Sequence, residues 1–166
     1  MNILKVIHIL DKLKTENKLK SYAIFGAVGA SYYMEPVYTN DVDIIVFSES
    51  DSDYIIIWNE LKKYAQKIET FGFRIDNTEV QIFPSTISSL FQDSLKTAKN
   101  IKVDGTFVRV VDKEHLILLF LSAGRQRDKF KASILLETAD LKYLKSLLER
   151  FDKDDKIKNT IKKFDY

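Results

Sequence analysis

No cysteine occurs among the 166 residues of this chain, so disulfides, thiol nucleophiles and thiolate metal sites are excluded together. Histidine is nearly as scarce. His8 and His115 alone do not furnish a zinc site of the usual kind, so any metal would be held by oxygen. Proline and glycine number two and five, and no low-complexity stretch, internal repeat or long linker interrupts the chain. No apolar run approaches the roughly 20 residues that cross a bilayer. The opening stretch is broken by Lys5 and His8 and closed by Asp11, Lys12 and Lys14. No export signal is read there, and a cytoplasmic location without membrane attachment is expected. Neither sign of charge dominates, the formal net charge being +2. Residues 1–95 nevertheless carry 9 basic and 13 acidic side chains and residues 96–166 carry 17 and 11, a balance of −4 against +6. A basic second half suits contact with phosphate or RNA, although lysine-rich surfaces also serve solubility alone. What is present, 45% hydrophobic and 30% charged residues, is ordinary for one folded unit with a substantial core.

Ile3, Val6, Ile7, Leu10 and Leu13 recur every three or four residues, which predicts an amphipathic helix ending near Glu16 and Asn17. Residues 22–25 read as a short buried strand closed by Gly26, and residues 27–33 as a short helix stopped by Glu35 and Pro36. A second strand is expected over residues 41–48. Ser50, Asp51, Ser52 and Asp53 offer N-cap chemistry for a long helix running through Ile55, Trp58, Leu61, Tyr64, Ala65 and Ile68. Residues 71–75 and 80–83 predict two strands joined through residues 76–79, and residues 88–97 a helix. Residues 101–103 and 106–111 predict a hairpin around Asp104 and Gly105. The remainder reads as helical: a buried helix over residues 115–121, then amphipathic helices over 127–137, 140–151 and 154–164. The fold expected is α/β (α+β), a mixed sheet flanked by helices over residues 1–111 and a C-terminal helical bundle over 112–166 packed on it.

Within the second strand, Asp41 and Asp43 occupy alternate positions of an otherwise apolar run. Strand geometry sends both carboxylates to one face. A hard cation such as Mg²⁺ takes carboxylate oxygens and keeps room for water and substrate phosphates, so the pair is a candidate metal site. The competing reading is a strand end where two acids simply reach water. Asp51 and Asp53 repeat the spacing but sit where helix caps and helix-dipole partners belong. His8 and His115, on apolar helices, read as satisfied structural residues, and residues 152–156 as a solvated helix junction. Tyr32, Tyr33 and Tyr38 could stack a base, although aromatic residues at such spacing more often fill a core.

In order, the chain offers a strand, Gly26, a short helix, Thr39-x-Asp41-x-Asp43 on a second strand, and a later strand closed by Pro84. This order resembles the nucleotidyltransferase superfamily, and residues 22–46 are similar to its AbiEii-like branch, typified by toxins of bacterial toxin–antitoxin systems. A second stretch, Ala123-Gly124-Arg125-Gln126-Arg127-Asp128 after a Leu-Ile-rich helix, is similar to the helical motif of the same branch. The resemblance runs from about residue 22 to 151. It implies a nucleotidyltransferase-like fold and a Mg²⁺-dependent (or Mn²⁺-dependent) transfer of a nucleoside monophosphate from a nucleoside triphosphate to an RNA or protein acceptor, with an antitoxin as a possible partner. Asp41 and Asp43 would be the catalytic metal ligands. Gly26 and Ala27 would let backbone N–H groups approach the triphosphate, Thr39 would order the strand entrance, and Arg125 or Arg127 would clamp phosphate.

Several positions depart from the family pattern. Ala27 stands where a second Gly or Ser is usual, Val37 and Tyr38 where an Arg is usual, and Phe120 where a phosphate-reaching lysine is often found. Gln81 stands where a third carboxylate is often found, and an amide can neither bind Mg²⁺ as strongly nor act as a general base. Glu79, two residues earlier, is a candidate substitute on the same face. Two functional readings therefore stay open: a transferase, and a catalytically degenerate member of the fold that binds nucleotide, RNA or a protein partner. An α/β interaction domain with incidental acids is a third.

Overall fold

Val42, Ile44 and Val46 point to one side of strand β2 (Asp41–Val46), and Asp41, Asp43 and Ile45 to the other, as the two-residue repeat of a strand requires. The computed structural model, which describes residues 2–103 and 105–164, places this strand at the centre of one mixed sheet. Its other strands are β1 (Tyr22–Phe25), β3 (Lys67–Glu69), β4 (Gly72–Ile75), β5 (Thr78–Pro84), β6 (Lys99–Val103) and β7 (Thr106–Val110). The order is β3-β4-β5-β2-β1-β7-β6. β2 runs antiparallel to β1 and parallel to β5, and β1 runs parallel to β7.

The two faces carry separate cores. Val42, Ile44, Tyr22, Ile24, Val80 and Ile82 pack under helices α1 (Ile3–Thr15) and α3 (Asp51–Lys62). Ala23 and Ile45 face the opposite layer, built from α2 (Gly26–Ala30), α4 (Ser89–Thr97), α5 (Lys113–Ala123), α6 (Gln126–Leu136), α7 (Leu141–Phe151) and α8 (Lys156–Ile161). α5 is buried along most of its length because Leu116 to Leu121 is continuously apolar, as the inner helix of a layered fold must be. The sequence-based expectation of a mixed sheet flanked by helices matches this architecture.

α4, α5 and α7 are tied together by His115, whose side chain is fully buried. Its Nδ1 lies 2.8 Å from Asp112 Oδ1 and its Nε2 3.0 Å from Asp93 Oδ2, while Asp93 Oδ1 accepts from Arg150 at 2.9 Å. Two carboxylate partners require both ring nitrogens to carry protons. Burial opposes that charge, but the hydrogen bonds and charges of Asp112 and Asp93 outweigh it and hold the imidazole pKa above its ordinary value. The structural role expected of His115 is thus seen, whereas His8 is exposed to solvent.

Several boundaries differ from the pattern-based expectation. α3 ends at Lys62, and Ile68 lies in the edge strand β3 rather than on the helix. Its inner face is formed by Tyr54, Ile57, Trp58 and Leu61, at the i, i+3, i+4, i+7 spacing of a helix stripe, and Ile55 points outward, 57% exposed. The β4–β5 hairpin turns on Asp76 and Asn77 alone, both at positive φ, so Thr78 and Glu79 belong to the strand. Of the Asp104–Gly105 turn, Asp104 lies outside the described residues. Asp152 is buried rather than solvated: its carboxylate accepts from the amides of Ile157 and Lys158 and so starts α8.

Candidate active site

The helical layer that covers Ile45 stops short of Asp43, so the polar end of the same strand face opens into a cleft. Asp43 is opposite Phe25 in the antiparallel β1–β2 pair and opposite Gln81 in the parallel β2–β5 pair. The chain turns from β1 into α2 at Gly26, which has φ +63°. A Cβ there would fall 2.0 Å from Asp43 Oδ2. Only glycine meets both demands, and its role is to make room for the carboxylate.

The two acids are unequally served. Thr39 Oγ1 donates to Asp41 Oδ1, and Gln81 Nε2 donates to Asp41 Oδ2 at 3.3 Å. Among the described residues no donor reaches the Asp43 carboxylate. Burial pushes its pKa up, the neighbouring Asp41 charge pushes further, and Arg125 and Lys131 only partly offset them, which brings it to about 7. Glu79 does not substitute for a third acid. The β4–β5 register pairs it with Arg74, whose Nη2 lies 2.5 Å from its carboxylate. Among the described residues no group of three or more His, Cys, Asp or Glu side chains is placed to hold a metal.

Two lobes flank the acid pair. The first, of about 400 Å³, is lined by Gly26, Ala27, Tyr38, Thr39, Arg127 and Lys131, with Phe130 at its rim. The start of α6 faces it, and no side chain caps that helix end. Asp128, 1% exposed, gathers two cations: Arg125 Nε at 2.5 Å and Lys131 Nζ at 2.7 Å. The Lys131 ammonium lies 4.8 Å from the centre of the Phe120 ring. The buried carboxylate orients both cations, although Arg125 itself stays exposed to solvent. The second lobe, of about 780 Å³, lies between the ends of β1 and β5 and helices α4, α5 and α7. Phe25 stands edge-on to Phe83 and Phe91, with centroids 5.2 and 5.6 Å apart.

All of Gly26, Ala27, Thr39, Asp41, Asp43, Gln81, Arg125 and Arg127 converge on this cleft, although they come from four separate stretches of chain. Tyr38 also lines it and is 87% exposed, while Tyr32 and Tyr33 pack partly buried against the cores. Lys131 is not indicated by the sequence pattern, whereas Asp128 closes the Arg125-Gln126-Arg127-Asp128 segment. The signal available was its i, i+3 spacing from Asp128, but Lys131 becomes legible only when α6 is seen packed beside Phe120 of α5, where its ammonium stands over that ring.

The fold has counterparts among solved structures. The structure resembles that of ANT(2″)-Ia in complex with adenylyl-2″-tobramycin, with a TM-score of 0.62 over 93% of this chain and 99% of that one at 14% identity. A protein of Thermotoga maritima provisionally described as a nucleotidyltransferase gives 0.55 over 83% and 94% at 19% identity. An antigenic nucleotidyltransferase-like protein of Paracoccidioides brasiliensis gives 0.50 over 90% and 88% at 15% identity. The chain has the nucleotidyltransferase fold. No protein-family model matches the sequence, and no curated protein resembles it.

Proposed function

We propose that the chain is a Mg²⁺-dependent nucleotidyltransferase that moves a nucleoside monophosphate from a nucleoside triphosphate to a hydroxyl acceptor. The observation that carries this reading is the unequal acid pair. Two carboxylates share one strand face, and Asp43 is desolvated without a donor of its own. Such a site asks for a cation, and oxygen donors with room left for water and phosphate suit a hard divalent ion. Asp41 and Asp43 would hold the metal, which when bound supplies charge neutralisation at the phosphates. The protein's own groups do the positioning. Arg127, Lys131 and Arg125 line the first lobe beside the acids and would hold the phosphates, and the uncapped start of α6 would add N–H donors there.

The motif resemblance to AbiEii-like toxins adds a possible place in a toxin–antitoxin pair, with RNA or protein as acceptor. The second reading, a degenerate binder of nucleotide, is favoured by Gln81, since a neutral amide hydrogen-bonded to Asp41 supplies neither a third charge nor a base. Calorimetric titration with the four nucleoside triphosphates, with and without Mg²⁺, followed by assay of pyrophosphate release, separates the two. Metal-dependent binding with release supports the transferase. Binding without release supports the degenerate reading, and no metal-dependent binding overturns both.

A further inference from the structure

We propose that the aromatic lobe of the cleft is the acceptor site, and that the acceptor is a neutral small molecule bearing a hydroxyl group on an apolar or aromatic body. This rests on the transferase reading and narrows it. The first lobe already meets the needs of a nucleotide. It has cations for the phosphates, and Tyr38 and Phe130, 87% and 60% exposed, offer ring faces for a base. The second lobe, nearly twice as large, shares the acid pair and so requires a different occupant.

Its lining states the chemistry of that occupant. Five phenylalanines contribute to it, and Phe25, Phe83, Phe91 and Phe151 are only half-buried, so that even those packed against the core leave ring surface lining the cavity. Among the described residues its carboxylates are Asp41 and Asp43 alone, the pair assigned to the metal, which leaves none for a polycation or a basic peptide. Its one cation among the described residues, Arg125, is engaged by Asp128, and these residues form no basic track for a nucleic-acid backbone. Ser88, Ser89 and Ser122 supply neutral hydrogen-bonding groups at the margin. A concave, mostly apolar cavity of this size with a few polar groups suits a small molecule.

In the transfer, the acceptor hydroxyl oxygen forms a bond to the α-phosphorus, the bond from that phosphorus to the oxygen bridging to the β-phosphate breaks, and pyrophosphate leaves with that electron pair. The hydroxyl proton passes to solvent. The test uses the full chain and saturation-transfer NMR with three probes: phenyl β-D-glucoside, tobramycin and a short single-stranded oligoribonucleotide. The glucoside should give saturation strongest at its phenyl protons. Phe91→Asp, which puts a charge in the lobe, and Ser89→Trp, which fills it from an exposed helix start, should each reduce the signal at least fivefold. Calorimetric affinity for ATP with Mg²⁺ should stay within twofold in both variants.

No glucoside signal in the wild type overturns the inference, as does a signal that survives in Ser89→Trp. Binding of tobramycin or of the oligoribonucleotide that Ser89→Trp abolishes assigns the lobe to a polycation or to RNA instead. A tenfold loss of ATP affinity in the variants assigns it to the base. Failure of ATP with Mg²⁺ to bind the wild type sinks the transferase reading, and the acceptor assignment with it.

Discussion

Asp43→Asn should stabilise the metal-free protein while destroying its response to Mg²⁺. A carboxyl whose pKa is moved from 3.8 to about 7 binds its proton more tightly in the folded chain than in the unfolded one. Folding is therefore unpenalised below about pH 4 and loses stability as the pH rises toward 7. At about 1.4 kcal/mol per pH unit the full penalty approaches about 4 kcal/mol, reached by neutral pH. Asparagine keeps the shape and removes the charge, so the variant should be about 2 to 4 kcal/mol more stable than wild type at pH 7.5, with little difference at pH 4. Urea denaturation with EDTA at a series of pH values measures this directly. Adding Mg²⁺ should raise wild-type stability by ligand linkage and leave the variant unchanged. A variant no more stable than wild type at pH 7.5, or one that still gains stability from Mg²⁺, would refute the argument that Asp43 is an unserved charge waiting for a cation.

Gly26→Ala combines a positive φ with a Cβ 2.0 Å from Asp43 Oδ2. A loss of at least about 1 kcal/mol by thermal melt and disrupted metal-dependent ATP binding are expected. Lys131→Met should weaken ATP binding about tenfold in calorimetry, the effect of removing one directed cation from the phosphate lobe. His115 contributes stability with the opposite partner logic, because its folded pKa is raised by Asp112 and Asp93. That contribution is whole below about pH 6.5 and is lost as the pH climbs through the raised value, and His115→Asn, which strands two carboxylates, should cost about 2 to 4 kcal/mol in acid and less in alkali.

The acid strand was legible in the sequence because its information is local: alternation puts Asp41 and Asp43 on one face whatever else the chain does. The glycine turn and the Arg125-Gln126-Arg127-Asp128 segment were legible for the same reason, as short motifs with fixed offsets. The β3 edge strand was not. Its three residues are too few to establish a period, and Lys67 and Ile68 are exposed, so Ile68 read as one more turn of α3. Glu79 looked available because its engagement depends on Arg74 across a hairpin whose two-residue turn reads from the sequence as the four residues 76–79. Lys131 was hidden more deeply. Its nearness to Phe120 is a property of how α5 and α6 cross, and no offset along the chain announces it. The aromatic lobe is likewise assembled from β1, β5, α4, α5 and α7, five elements that only the folded layer brings together.

α5 is 11 residues long, a rod of about 16 Å. Its first turn holds the imidazole clamped between its own N-cap, Asp112, and Asp93 of α4, and its far end delivers Phe120, then bends at left-handed Gly124 to present Arg125. The wall between the two lobes is therefore a packed rod whose end remote from the chemistry is tied by an ionised imidazole. Neutralising that tie in alkali weakens the support of both lobes at once, so phosphate grip and acceptor fit should deteriorate in step rather than one after the other.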